Sequence, residues 1–184
     1  MKQTVSHACT ATCAQSLADD VAKTVVCSII GSRLDYCNSL FVGMYVSNFK
    51  SMQRVQNTLS RVFLRRGKFE QITPALIDLH WLPVQYRVTC KLATLTYSMK
   101  QSGQPSYLHV HELLQDYQPT YSLRSASHDL LVTTRPRSVA SRAFRHSAAT
   151  TWNSLPVNIC NVCDTMVTFT CRLKTFLFNQ VFAI

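Results

Sequence analysis

Six basic side chains, Lys50, Arg54, Arg61, Arg65, Arg66 and Lys68, fall in one stretch that contains no acidic residue. Cations at that density neutralise phosphates, and each neutralised phosphate releases condensed counterions. A second group, Arg124, Arg135, Arg137, Arg142 and Arg145, has Asp129 as its one acid. The whole chain carries 19 Lys and Arg against nine Asp and Glu, a formal net charge of +10. A balance this basic points to nucleic acid first and to an anionic membrane surface second. The plainer reading of both groups is a pair of solvated faces.

Catalytic chemistry has less material. Asp19 and Asp20 are the only adjacent carboxylates. Such a pair can hold divalent ions for phosphoryl transfer, but this one precedes a helix-like run, where Asp serves the free backbone donors and the macrodipole. Capping is therefore its expected role. No Gly-rich phosphate loop, nucleophile elbow or H-E-x-x-H occurs. A Cys–His or Ser–His–Asp triad assembles in space and leaves no signature here.

Cys9 and Cys13 form C-x3-C, and Cys160 and Cys163 form C-x2-C with Cys171 further on. A structural zinc site needs four tetrahedral ligands at short spacings. No His follows Cys163, and His109 and His111 stand two apart, on opposite helical sides. The eight cysteines are expected as free thiols, mostly small core residues. No metal, no cofactor and no catalytic residue is expected.

The elements that must position the basic groups come from 184 residues that are 47% hydrophobic and 15% charged. That is too apolar for disorder and long enough for a core. No apolar run approaches the ~20 residues that span a bilayer, and Met1 to His7 contain no apolar signal core. The expectation is a soluble intracellular chain with no membrane partner.

Residues 19–47 read as helix with a bend near Gly31. Residues 47–66 form the clearest helix, with Met52, Val55, Leu59, Val62 and Phe63 as one apolar stripe and Arg54, Arg61 and Arg65 on another face. Gly67 stands at the expected helix C-cap. Thr73-Pro74 opens a short helix, Val84 to about Met99 forms a longer one, and Pro105 to Leu114 another. Beyond Pro119 the composition shifts to Ser, Arg and Thr. Leu130 to Thr133 reads as a strand, Phe144 to Trp152 as a second irregular strand, and Thr165 to Phe178 as a closing helix. The expected fold is mainly α: a helical bundle, then a small mixed region with a short β-hairpin and a C-terminal helix. Residues 1–18 are unassigned, 19–116 form the helical region and 117–184 the mixed tail.

Several blocks stand in one order. They are Ser32-Arg33-Leu34-Asp35-Tyr36-Cys37-Asn38-Ser39-Leu40, Met52-Gln53-Arg54-Val55-Gln56-Asn57 and Ile72-Thr73-Pro74. Asp78-Leu79-His80-Trp81-Leu82-Pro83-Val84, Pro105-Ser106-Tyr107-Leu108 and Ser122-Leu123-Arg124-Ser125 follow. Arg142-Ala143-Phe144, Trp152-Asn153-Ser154-Leu155-Pro156 and Leu173-Lys174-Thr175-Phe176-Leu177-Phe178 complete the series. This series resembles the C-terminal region of the reverse transcriptase of LINE-type (non-LTR) retrotransposons of the CR1, L2 or jockey sort, over about residues 19–184.

The resemblance implies a thumb and the tail beyond it, a helical region that grips template and primer. In the family the palm aspartates lie upstream of the Ser32–Leu40 block, so the palm and fingers lie outside this chain. Asp19-Asp20 matches the segment just before that block, and no catalytic residue carries over. The chain departs from the family pattern at Thr58 to Arg61, at Ser141 and at Thr150-Thr151, drift of the kind a decaying copy accumulates. The implied function is non-specific binding of RNA or DNA backbone, without catalysis. The proposed contacts are Lys50, Arg54, Arg61, Arg65, Arg66 and Lys68, then Arg135, Arg137, Arg142 and Arg145. Trp81, Trp152 and Tyr36 could stack on bases, although core packing is the favoured role for each. Two alternatives stand beside this: a relic with no retained activity, and one region of an active polymerase. Nuclear or cytoplasmic placement follows from the resemblance alone.

Overall fold

The computed structural model describes residues 20–21, 24–25, 27–29, 31–102, 114–118, 130–133, 143–160 and 165–183. Among these the chain is mainly helical. Helical turns run through the described residues between 20 and 35, and a 3-10 turn follows at Asn38–Phe41. The helices then come in order as α1 (Val46–Phe63), α2 (Ile72–Asp78), α3 (Val84–Ser102), α4 (Phe144–Asn153), α5 (Val157–Cys160) and α6 (Met166–Phe182).

The organising element is α3, which packs against α1, the 3-10 turn, α4 and α6. Its Leu92, Ala93, Thr96, Tyr97 and Met99 are buried. Helix α3 carries the buried Ala93 and packs against α4, which is itself small at Ser147, Ala148 and Ala149, so the backbones can approach closely. Above that contact Tyr97 stacks on Phe169 at 4.2 Å and 10°, and Phe169 on Trp152 at 5.9 Å. Three helices therefore meet in one aromatic layer, an arrangement that adds to simple area burial. Helices from both sides of the composition shift near 116–120 feed this one core.

Two helix ends are closed by the same device. Arg65 is left-handed (φ 53°), with its N–H donating to the Val62 carbonyl and the Arg66 N–H to Arg61. His80 is left-handed (φ 52°), with its N–H donating to Ile77 and the Trp81 N–H to Leu76. Each satisfies terminal carbonyls in the manner of a Schellman end, with a side chain where glycine is preferred. The expected C-cap glycine, Gly67, instead lies two residues beyond Arg65 and donates its N–H to Glu70 Oε1 at 2.9 Å. The bend expected near Gly31 adjoins residue 30, outside the described residues; further on, Cys37 is left-handed (φ 51°).

The strand expected at Phe144 to Trp152 is helix α4. Phe144, Ala148 and Trp152 recur every four residues, and burial of the last two against α3 outweighs the β-preference of the threonines between them. Leu131, in the expected strand at 130–133, forms a single antiparallel bridge to Asp116. Tyr117 N–H donates to the Leu130 carbonyl and Val132 N–H to the Gln115 carbonyl, both at 2.8 Å. No sheet occurs among the described residues. The helix expected at 105–114 lies outside them except for Leu114, which is not helical. Thr165 caps α6, its hydroxyl accepting from the Thr168 N–H. Among the described residues no helix is long and apolar enough to cross a membrane.

Candidate functional site

The basic run is delivered by α1 and the turn after it. The core side of α1 is Gln56, Leu59 and Ser60, all buried; Val55 and Val62, expected in the apolar stripe, are exposed. The helix is rotated because Gln56 and Gln53 reach the turn before α3. Gln56 Nε2 donates to the Leu82 carbonyl at 2.8 Å, and Gln53 Oε1 accepts from the Val84 N–H at 2.9 Å. Pro83, between them, has no N–H to offer. Ser60 is satisfied within its own helix, its hydroxyl donating to the Asn57 carbonyl at 2.9 Å.

That rotation leaves Lys50, Arg54 and Arg61, spaced i, i+4, i+11, on one face away from the core. Lys50 and Arg54 are exposed and meet no acid among the described residues. Arg61 is half-buried, and its Nη2 donates to the Glu70 carbonyl at 3.2 Å. Arg65 pairs with Asp20 at 3.2 Å and Arg66 with Asp78 at 2.6 Å. Both of these acids come from outside the acid-free run, so the tertiary fold partly balances a stretch that the sequence leaves unbalanced. Lys68 is exposed and sits 5.9 Å above the Phe69 ring.

Arg145 is half-buried in the first turn of α4, with Nη2 3.5 Å from Gln115 Oε1. Arg135, Arg137 and Arg142 lie outside the described residues, as do Cys9, Cys13 and Cys163. Cys160 is half-buried, and Cys171 is an exposed thiol. Asp19 lies outside the described residues, and Asp20 pairs with Arg65.

The three aromatic candidates separate. Trp152 is 2% exposed and belongs to the core. Trp81 is half-buried and covered by Arg87, whose guanidinium carbon lies 5.9 Å from the ring centre. Tyr36 is exposed and available for stacking. The sequence reading missed a second cationic cluster, Arg87 and Lys91 on α3 with Lys174 on α6, gathered around one cleft. Their one sequence signal is the i, i+4 spacing of Arg87 and Lys91.

Geometrically, the α1 face can attract and hold polyanions, through exposed cations that are free to follow a flexible ligand. Among the described residues no group of three or more His, Cys, Asp or Glu side chains is placed to hold a metal ion. Set beside known proteins, the chain matches no family model, no curated protein and no solved structure.

Proposed function

We propose that the chain is the thumb-and-tail region of a LINE-type reverse transcriptase, and that its own biochemistry is non-specific, non-catalytic binding of RNA or DNA backbone. The observation that carries this is the exposed, uncompensated pair Lys50 and Arg54 on α1, continued by Arg61, Arg65, Arg66 and Lys68. Two of the blocks that carry the resemblance touch: Gln53 and Gln56 bind the Leu82-Pro83-Val84 turn. In this reading the limit at 116–117 is one of composition, and placement is nuclear or cytoplasmic.

The test is equilibrium binding of a single-stranded RNA and a DNA of equal length at several salt concentrations. Arg61 and Arg66 hold internal partners, so the variant is Lys50→Gln/Arg54→Gln/Lys68→Gln. Three lost phosphate contacts should lower the slope of log K against log salt by about 2. An unchanged slope rejects the assignment.

A relic with no retained activity is the second reading, favoured by one observation. Leu40, Tyr45, Val46 and Phe69 are large, apolar and exposed, Phe69 at 96%. Uncovered apolar surface promotes association, so this version expects aggregation without a cooperative thermal transition. The third reading, one region of an active polymerase, requires an in-frame palm upstream in the transcript.

A further inference from the structure

The cleft between α3, α6 and the turn at 79–82 is unlike the α1 face. Arg87 and Lys91 stand one turn apart on α3, and Lys174 meets them from α6, around a cavity of about 510 Å³. Three cations there face one carboxylate, Asp35, which Arg87 already engages at 2.9 Å. Lys91 and Lys174 are exposed and have no acidic partner among the described residues.

His80, Leu82 and Lys174 also border a second cavity of about 520 Å³, which continues to Ile77 and Phe178. Its wall is aromatic, with the His80 ring stacked on Phe178 at 5.7 Å and 17°. The two cavities share His80, Leu82 and Lys174, so a cationic recess adjoins one with apolar and aromatic lining, and together they are treated as one groove.

Asn38 fixes what else the occupant must carry. It is 2% exposed and lines the cationic end. Its Nδ2 points to Asp35 Oδ1 at 3.5 Å, which leaves its own Oδ1 buried and unpartnered. A buried acceptor without a donor is costly, so the groove suits a ligand that brings donors together with its negative charge. Inorganic phosphate offers one or two hydroxyl donors and no apolar body. A nucleotide offers phosphate oxygens for lysine and arginine, hydroxyl and amino donors, and a flat ring for an aromatic wall.

We infer that this groove binds a nucleoside monophosphate unit, with its phosphate at Arg87, Lys91 and Lys174 and its base against His80 and Phe178. The site uses none of the α1 residues, so it stands apart from the backbone-binding reading.

The full chain is titrated with adenosine 5′-monophosphate, adenosine, inorganic phosphate and a tri-adenylate, followed by calorimetry. The monophosphate should saturate at a Kd on the order of 0.1–1 mM. Adenosine and phosphate should each bind about tenfold more weakly or worse. Lys91→Gln/Lys174→Gln, both at exposed positions, should weaken the monophosphate at least about tenfold. Lys50→Gln/Arg54→Gln should leave it unchanged while flattening the long-strand salt slope. Tri-adenylate binding as tightly as the monophosphate assigns the groove to a nucleic-acid strand. Weaker binding assigns it to a free mononucleotide, and either result upholds the site. A monophosphate that binds no better than phosphate, or equally well to the double lysine variant, overturns it.

Discussion

The Gln56 side-chain amide donates to the Leu82 carbonyl at 2.8 Å across 26 residues of chain. The acceptor precedes Pro83, and the next available N–H, that of Val84, is taken by Gln53. Two glutamines one helical turn apart thus close a turn that could not close itself. The same contact sets the rotation of α1, and with it the direction in which Lys50 and Arg54 point.

Gln56→Met keeps the length of the side chain and removes the donor. Leu82 is buried, so its carbonyl would be left without a partner, at a cost of roughly 1–3 kcal/mol. Chemical denaturation should report that loss, and the salt slope for polynucleotide should change as well if α1 turns. An unaltered midpoint would mean that water reaches Leu82 and the amide is dispensable.

The helices were legible because apolar spacing near 3.6 residues survives in α1, α3 and α6. The rotation of α1 was not, because its core face carries Gln56 and Ser60, polar residues that a hydrophobicity pattern places outside. Helix α4 was hidden by Thr150 and Thr151, whose branched side chains suggest a strand, while its buried face is Ser147, Ala148, Ala149 and Trp152. At the site, the cations of α1 could be read directly from an acid-free run. The partnering of Arg65 by Asp20 and of Arg66 by Asp78 could not, since ion pairs between distant segments follow from packing alone. The cleft between α3 and α6 depends on the same packing.

Arg65 offers a way to separate stability from binding. It holds a left-handed backbone (φ 53°) that a side chain disfavours by about 1 kcal/mol. Its pair with Asp20 is largely solvent-exposed on both sides and contributes little. Arg65→Gly should therefore raise the unfolding free energy by up to roughly 1 kcal/mol while weakening polynucleotide binding. A lower melting temperature in this variant would place the ion pair above the backbone strain.

Asn153 pins the extended segment to the core. Its Nδ2 donates to the Leu131 carbonyl and its Oδ1 accepts from the Leu131 N–H, both at 2.9 Å. Leu131 is buried, so Asn153→Ala should cost on the order of 2–3 kcal/mol through two orphaned backbone groups. Asn153→Asp keeps the acceptor and sets a carboxylate against a carbonyl. Part of its loss should return as the pH falls and the carboxyl regains a proton to donate. Thermal melts of the two variants between acidic and neutral pH would show it. Parallel pH profiles for the alanine and aspartate variants would contradict the two-way pairing.

Burial pushes the Cys90 thiol above its ordinary range, an effect partly opposed by Lys174 and the Thr94 hydroxyl. A raised folded value means that the folded chain holds this proton more tightly than the unfolded chain. The stabilisation is therefore complete below the ordinary thiol pKa of ~8.5 and is lost as the pH climbs through the folded value. Between neutral and strongly alkaline pH the native chain should lose more stability than Cys90→Ala, in which that titration is absent. Alkylation at neutral pH should follow the same physics, with the exposed Cys37 and Cys171 reacting well ahead of Cys90. Peptide mapping after a timed alkylation reads the order directly, and a Cys90 that reacts first would mean that the two lysines beside it outweigh its burial.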